Sequence, residues 1–256
     1  MDRVKTGIEG LDKALNGGIP YRNVVLVSGG AGTGKSTLCL QYLVNGAKLY
    51  GEKGLYISTE QSREELLKAA EGFGWDLEEL ERQKLLRIAY FDVVGTDHFL
   101  EKIYKQYTDF NPRRVVLDSL TTFTDSLLVS SARDDTAFSM VQVAETVSPI
   151  PKTEKIVAKT LLYQLMKKLR LFDATIILTS ELLEESKGLS ADEISEFICD
   201  GVIEMHYLGI SGADSRTLRV RKMRYCNHNK SYIPYEMTSQ KGIIVHEEES
   251  MDVLMK

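Results

Sequence analysis

Apolar residues along this chain fall into short β-branched runs that alternate with longer mixed stretches. Residues 24–28 (VVLVS) form an unbroken apolar run that ends in a glycine-rich stretch, 29–34. A helix-like segment, 35–50, follows it. The order repeats downstream. GLYISTE at 54–60 predicts a short strand and 63–73 a helix. Residues 85–89 predict a third strand and 98–107 another helix. The run at 115–118 (VVLD) predicts a strand closed by an acid. A long helical stretch, 153–171, then leads into TIILT at 175–179. Continuous apolar strands alternating with helices predict a mostly parallel sheet covered on both faces.

The texture changes after Asp200. GVIEMHYL, TLRVRKMR and KGIIVH are strand-like runs joined by polar turns. They predict antiparallel strands extending one edge of the sheet. Residues 124–155 are long for a connection and contain Pro149 and Pro151, so they are expected to be an insertion, partly helical. No internal repeat or low-complexity tract breaks the chain, and 1–256 is expected to be a single domain.

Composition narrows the class. A chain of 256 residues can bury a sizeable core. No apolar run approaches the roughly 20 residues needed to span a bilayer. The start, MDRVKTGIEG, has no apolar signal segment. The three cysteines are scattered, with no CxxC, which argues against a disulfide framework or a zinc site. A reduced, cytoplasmic protein without a membrane partner is expected. A net charge of -5 argues against bulk nucleic-acid binding.

Gly29-Gly30-Ala31-Gly32-Thr33-Gly34-Lys35-Ser36 matches GxxxxGK[ST]. In such a loop, Gly30, Ala31, Gly32, Thr33, Gly34 and the helix start through Thr37 turn backbone N–H groups onto phosphates, and the helix N-terminus adds a positive end. Lys35 reaches the β- and γ-phosphates, and Ser36 ligates Mg2+. A glycine-rich turn matching by accident is the alternative. The strand before the loop and the helix after it argue against that.

Phosphoryl chemistry also needs an acid near the metal, and Asp118, closing a neighbouring strand, fits. It needs a group to orient the attacking water. Glu60 ends the 54–60 strand, at the carboxyl edge where ligands of parallel sheets bind. The competing reading of Glu60 is a capping acid for the 63–73 helix.

The acidic chain carries one concentrated basic stretch. Residues 216–230 hold six Lys/Arg and no Asp or Glu. Lys222 and Arg224 are two apart on an expected strand, so both point to one face. They could meet a phosphate, or could simply form a solvated basic edge.

Taken together these stretches resemble the KaiC-like ATPases of the RecA superfamily. The resemblance rests on TGIEGLD at 6–12, GGIP at 17–20, the phosphate loop, FGWDL at 73–77, KMR at 222–224, His228 and KGIIV at 241–245. It covers nearly the whole chain apart from 124–155, in a single-domain form. It implies an α/β, RecA-like P-loop NTPase fold: a mostly parallel central sheet flanked by helices, with C-terminal antiparallel strands. It implies binding of ATP and ADP with Mg2+, slow hydrolysis, and assembly into a homo-oligomeric ring, often a hexamer. It also implies that Lys222 and Arg224 reach the next subunit's ATP, with His228 beside the same nucleotide. A basic finger of that kind is worth roughly 10³–10⁵ in rate. Two departures stand out. Tyr225-Cys226-Asn227 replaces a segment that usually begins with glycine, so the turn before His228 differs. Glu60-Gln61 replaces the two adjacent glutamates often found there, leaving one candidate base.

DNA-handling relatives of this superfamily bind DNA through loops after the Asp118-type strand and the next one. Here 181–200 holds seven acids against Lys187 alone, and 124–155 holds five acids against three bases. Such loops repel a phosphate backbone. A DNA role is disfavoured, unless the bases of 216–230 face outward and bind alone. Autokinase activity lacks an adjacent Ser/Thr pair in 181–200. The remaining reading outside catalysis is a scaffold gated by nucleotide, with an unidentified protein partner. Arg113 and Arg114 are expected to solvate a strand start, Trp75 to pack a helix corner, and Tyr104 and Tyr107 to pack a helix.

Overall fold

The structure, a computed structural model, describes residues 2–91, 99–122, 153–182, 188–192, 194–208 and 215–246. The expected insertion therefore lies outside the described residues except for 153–155, which begin a helix.

Eleven strands and seven helices are described. An N-terminal ribbon pairs β1 (Arg3–Val4) with β2 (Ile19–Pro20) around the short helix α1 (Leu11–Ala14). The core elements follow: β3 (Val24–Gly29), α2 (Lys35–Tyr50), β4 (Gly54–Ser58), α3 (Arg63–Glu71), α4 (Leu77–Arg82), β5 (Leu86–Tyr90), α5 (Phe99–Phe110) and β6 (Arg114–Asp118). Then come α6 (Thr153–Leu169), β7 (Thr175–Glu181), α7 (Ser195–Ile198), β8 (Gly201–Leu208), β9 (Ser215–Met223), β10 (Tyr232–Thr238) and β11 (Gly242–Val245).

Nine strands form one sheet in the order β11-β10-β9-β8-β3-β7-β6-β4-β5. From β8 to β5 all pairings are parallel, and from β8 to β11 all are antiparallel. This is the mostly parallel α/β sheet with antiparallel edge strands that the strand runs predict, and it agrees with the RecA-like fold that the resemblance implies. The alternation of side chains builds two cores. Val25, Val27, Tyr56, Val116 and Ile177 face α2 and its neighbours. Val24, Leu26, Leu55, Val115 and Ile176 face α5 and α6.

Three elements differ from expectation. The helix over 63–73 stops at Glu71. Gly74, at φ 69, turns the chain, and Asp76 caps a separate α4. Trp75 fills the corner between them, stacked on Phe73 at 4.7 Å, as its sequence position suggested. β10, which contains Pro234, is not among the strands expected from the sequence. The strand tolerates the proline because the Pro234 carbonyl faces β11, accepting from His246 N, so the missing N–H falls where that ladder runs out.

The third difference is a correction. Arg114 does not solvate a strand start; it is fully buried. Its side chain points with Val116 toward α2. There it pairs with Glu52 at 2.6 Å and donates to the Tyr42 and Lys5 carbonyls at 2.9 and 2.8 Å. Arg113 is the exposed one, over the Tyr21 ring and 2.8 Å from Glu52. Tyr107 stacks on Phe172 at 3.8 Å, and Tyr104 touches the same ring from a half-exposed position.

The ribbon and β11 close one end of the domain. The Asp12 carboxylate accepts from Thr6 N, Thr6 Oγ1 and Gly7 N, which ties the TGIEGLD loop. Gly10, at φ 78, lies so close to β11 that a Cβ would sit 1.8 Å from the Val245 carbonyl. Two distant stretches of the sequence pattern thus meet in one contact.

Candidate active site

The carboxyl ends of β3, β7, β6 and β4 form one edge, and the predicted phosphate, metal and water-orienting residues gather there. β3 delivers the chain into 29–34, and α2 begins at Lys35. Gly32 and Gly34 take φ 74 and 90, which turns the loop. A Cβ on Gly34 would meet Met237 Sδ at 2.6 Å, whereas at Gly32 it would meet nothing within 4 Å. The loop is thus packed on one side and open on the other. Thr33 is buried and its hydroxyl donates to the Gly30 carbonyl at 2.9 Å. Tyr235, on β10, props the loop from behind by donating to the Thr33 carbonyl at 2.5 Å.

Lys35 Nζ donates to the Gly29 and Gly30 carbonyls at 2.8 and 3.0 Å. Among the described residues the ammonium is bonded to carbonyls and paired with no carboxylate, which leaves it to meet an anion arriving on the open side. Among the described residues no backbone amide from Ala31 to Ser36 donates to the protein. These donors, Lys35 and the N-terminus of α2 fit a polyphosphate.

Asp118 points to the α2 side of the sheet, like Val116 two residues earlier. Its carboxylate is buried, accepting from Thr179 Oγ1 at 2.5 Å and from the Tyr56 phenol. Burial and the Asp118 charge push the Tyr56 phenol well above its usual range, so it stays a donor. Ser36 lies close enough to the same phenol to lower its pKa in part. Ser36 and Asp118 thus converge on one place at the start of α2. A hydroxyl and a carboxylate suit a hard divalent cation such as Mg2+. When bound there, such an ion neutralises charge on β- and γ-phosphate oxygens.

Glu60 follows β4 and is exposed. Its Oε1 accepts from Thr122 Oγ1 at 2.5 Å and from Ser119 Oγ. It does not cap α3. That helix has its own capping box, made by Ser62 and Glu65. The capping explanation for Glu60 therefore fails, and two hydroxyls hold its carboxylate in place. β6 and β4 lie two and three strands from β3, so Asp118 and Glu60 stand about 10 and 14 Å to one side of the loop.

Lys222, Arg224 and His228 are not at this edge. Val202 pairs with Lys222, and Arg224 N donates to the Asp200 carbonyl, level with Val24 at the start of β3. Five residues of strand, about 16 Å, separate Val24 from Gly29. Arg224 therefore lies at the opposite end of the sheet from its own phosphate loop. Lys222 Nζ donates to the Glu196, Phe197 and Cys199 carbonyls at 3.0, 3.2 and 2.7 Å. Burial lowers its pKa, and Arg224 lowers it further. Arg224 donates to Asp200 and to the Phe197 carbonyl at 3.2 and 3.3 Å. Both cations reach Phe197, as their shared face predicted. A cavity of about 650 Å³ opens beside them, lined also by Arg219, Arg221 and Lys230. Tyr225 stands at φ 67, the left-handed region that a glycine occupies readily. His228 Nδ1 lies 2.9 Å from the Asn229 carbonyl, and Asn229 N donates to Ala14.

Tyr56, Thr179, Ser119, Thr122 and Tyr235 escaped the sequence reading. Thr179 and Ser119 had a faint signal, since polar residues end otherwise apolar strands at the ligand edge. Tyr235 had none.

Comparison with known proteins follows the same outline. A family model for the KaiC ATPase matches residues 4–143 and 139–250. The chain is 31% identical over 249 residues to a UPF0273 protein of Thermotoga maritima, covering 97% of this chain and 98% of that one. It is 28% identical over 258 residues to the circadian clock oscillator protein KaiC of Prochlorococcus marinus, covering 96% of this chain but 46% of that one. Among solved structures, a KaiC-like protein from Pyrococcus horikoshii OT3 superposes with a TM-score of 0.77 at 31% identity, covering 96% and 99% of the two chains.

Proposed function

Since the chain belongs to the KaiC ATPase family and is a P-loop ATPase in general activity, we propose that it hydrolyses ATP slowly, with Mg2+, at interfaces between its own copies. The copies would form a closed, hexameric ring with a regulatory output.

In this reading the loop from Gly30 to Thr37 cradles the phosphates, and Lys35 neutralises the β- and γ-oxygens. Ser36 and Asp118 hold the cation. Glu60, steadied by Ser119 and Thr122, orients a water toward the γ-phosphorus and accepts its proton as the bond to the β–γ bridging oxygen breaks. Lys222 and Arg224 stabilise the developing charge on a neighbour's ATP, with His228 beside them.

The observation that carries the interface reading is the placement of these cations. They lie at the far end of the sheet from their own loop, so a phosphate they touch belongs to another copy. A ring of heterologous contacts brings one end of each subunit against the other end of the next. Steady-state ADP release tests the assignment. It should require Mg2+ and be lost in Glu60→Gln while ATP binding is retained. Full turnover by that variant would sink the role of Glu60.

One observation favours a binding role instead. All three Lys222 N–H donors are already spent on carbonyls of its own chain. A wild-type assembly that binds ATP and releases no ADP would support that scaffold reading.

A further inference from the structure

We propose that Asp200 is the positioning residue of the trans-acting cation: it aims Arg224 at the neighbouring subunit's nucleotide. The inference rests on the interface reading above.

Asp200 follows α7 and precedes β8, and it is buried. Its backbone joins the start of β3 to the residue that follows the end of β9. Asp200 N donates to the Val24 carbonyl at 2.7 Å, and its carbonyl accepts from Arg224 N at 2.7 Å. The carboxylate is divided the same way. Oδ2 accepts from Val24 N at 3.1 Å. Oδ1 faces two guanidiniums, Arg224 Nη1 at 3.2 Å and Arg170 Nη2 at 3.1 Å. One residue thus anchors both the backbone and the side chain of Arg224 to β3, the strand that carries the phosphate loop at its other end.

Arg224 keeps donors to spare. A guanidinium has five N–H groups. Asp200 and the Phe197 carbonyl take one each, and among the described residues no other acceptor meets the rest. The Arg224 side chain is 43% exposed, whereas that of Asp200 is 3% exposed. With Nη1 on a buried carboxylate and Nη2 on the Phe197 carbonyl, the guanidinium plane is fixed while its remaining N–H groups stay unspent on a half-exposed side chain. A long side chain without that grip samples many rotamers. Misplacement by about 1 Å can cost 100-fold in rate.

Asp200→Asn isolates this role. An amide oxygen can still accept from Val24 N, but the anion that holds Arg224 is gone. The variant should lose roughly 10- to 100-fold in kcat with KM for ATP little changed. Mixing supplies the decisive readout. Asp200→Asn subunits keep a competent ATP site, and Glu60→Gln subunits keep a well-aimed Arg224. An equimolar mixed ring should recover toward roughly a quarter of wild-type turnover, because about one interface in four joins the two good halves. Arg224→Ala mixed with Glu60→Gln should recover likewise. Arg170→Gln, which leaves the Asp200–Arg224 contact, should keep wild-type turnover.

Wild-type kcat in Asp200→Asn would overturn the proposal. So would a loss that Glu60→Gln fails to rescue while rescuing Arg224→Ala, or an equal loss in Arg170→Gln. Failure of Arg224→Ala itself to be rescued would instead refute the interface reading, and the proposal with it.

Discussion

Arg114→Met probes the polar knot beneath the site. The guanidinium joins three parts of the chain. It donates through Nε to Glu52 at 2.7 Å, through Nη1 to the Tyr42 carbonyl of α2, and through Nη2 to Lys5 beside the ribbon. It also lies over the Tyr42 ring at 4.6 Å. Removing one member of a buried ion pair costs about 3–5 kcal/mol, chiefly by stranding the other charge. Glu52 is not fully stranded, because Arg113 stays 2.8 Å away and the carboxylate is 20% exposed. The Tyr42 carbonyl lies within α2, where the helical ladder also serves it. The loss should therefore sit at the low end, about 3 kcal/mol. For a chain of this size that lowers Tm by about 6–12 °C. Thermal melts without nucleotide, at one protein concentration, read it directly.

Gly46 sharpens the test. A Cβ there would lie 2.4 Å from Arg114 Nε, so Gly46→Ala alone should destabilise by overpacking, by about 1–3 kcal/mol. Once Arg114 is methionine the flexible thioether can yield, and alanine is worth about 1 kcal/mol over glycine inside a helix. The double variant should be less damaged than the sum of the singles by about 1–2 kcal/mol. Singles that add within about 0.5 kcal/mol would refute the reasoning, because sites without contact behave that way. So would an Arg114→Met cost below about 1 kcal/mol.

Other outcomes follow from single contacts. Tyr225→Gly should raise Tm slightly, since the left-handed backbone costs a tyrosine about 1–2 kcal/mol and the added chain freedom returns about 0.5–1 of it; an unchanged or lower Tm would count against strain at Tyr225. Tyr235→Phe should weaken binding of an ATP analogue by roughly 2- to 10-fold with little change in Tm, because one hydrogen bond behind the loop, worth about 0.5–1.5 kcal/mol, is lost; unchanged affinity in a titration would show that the loop needs no prop. Burial pushes the Cys199 thiol up to about 12 and the Cys39 thiol well above its usual range, so a thiol reagent on the native protein should label half-buried Cys226 quickly and the other two only after denaturation; rapid labelling of three thiols would contradict that burial.

The features legible in the sequence were those written in consecutive residues. The phosphate loop, the strand before it and the acid closing β6 are local patterns, and the structure sets them where periodicity and the carboxyl-edge rule put them. What escaped depends on parity and distance. Arg113 and Arg114 look alike, yet only Arg114 shares a face with Val116 and Asp118, and only Gly46 makes room for it. Asp200 is one of seven acids in 181–200, and nothing adjacent marks it as the one beneath Arg224. Tyr225 lies between these cases. Its departure from the family's glycine predicts a different turn before His228, yet its φ of 67 is the left-handed backbone that a glycine occupies readily and that strains a tyrosine. The same left-handed turn follows directly on Arg224, whose amide is bonded to Asp200. The residue that departs from the family thus sits next to the proposed aiming contact, so any retuning by Tyr225 should show first in kcat, the quantity that Asp200→Asn is expected to lower.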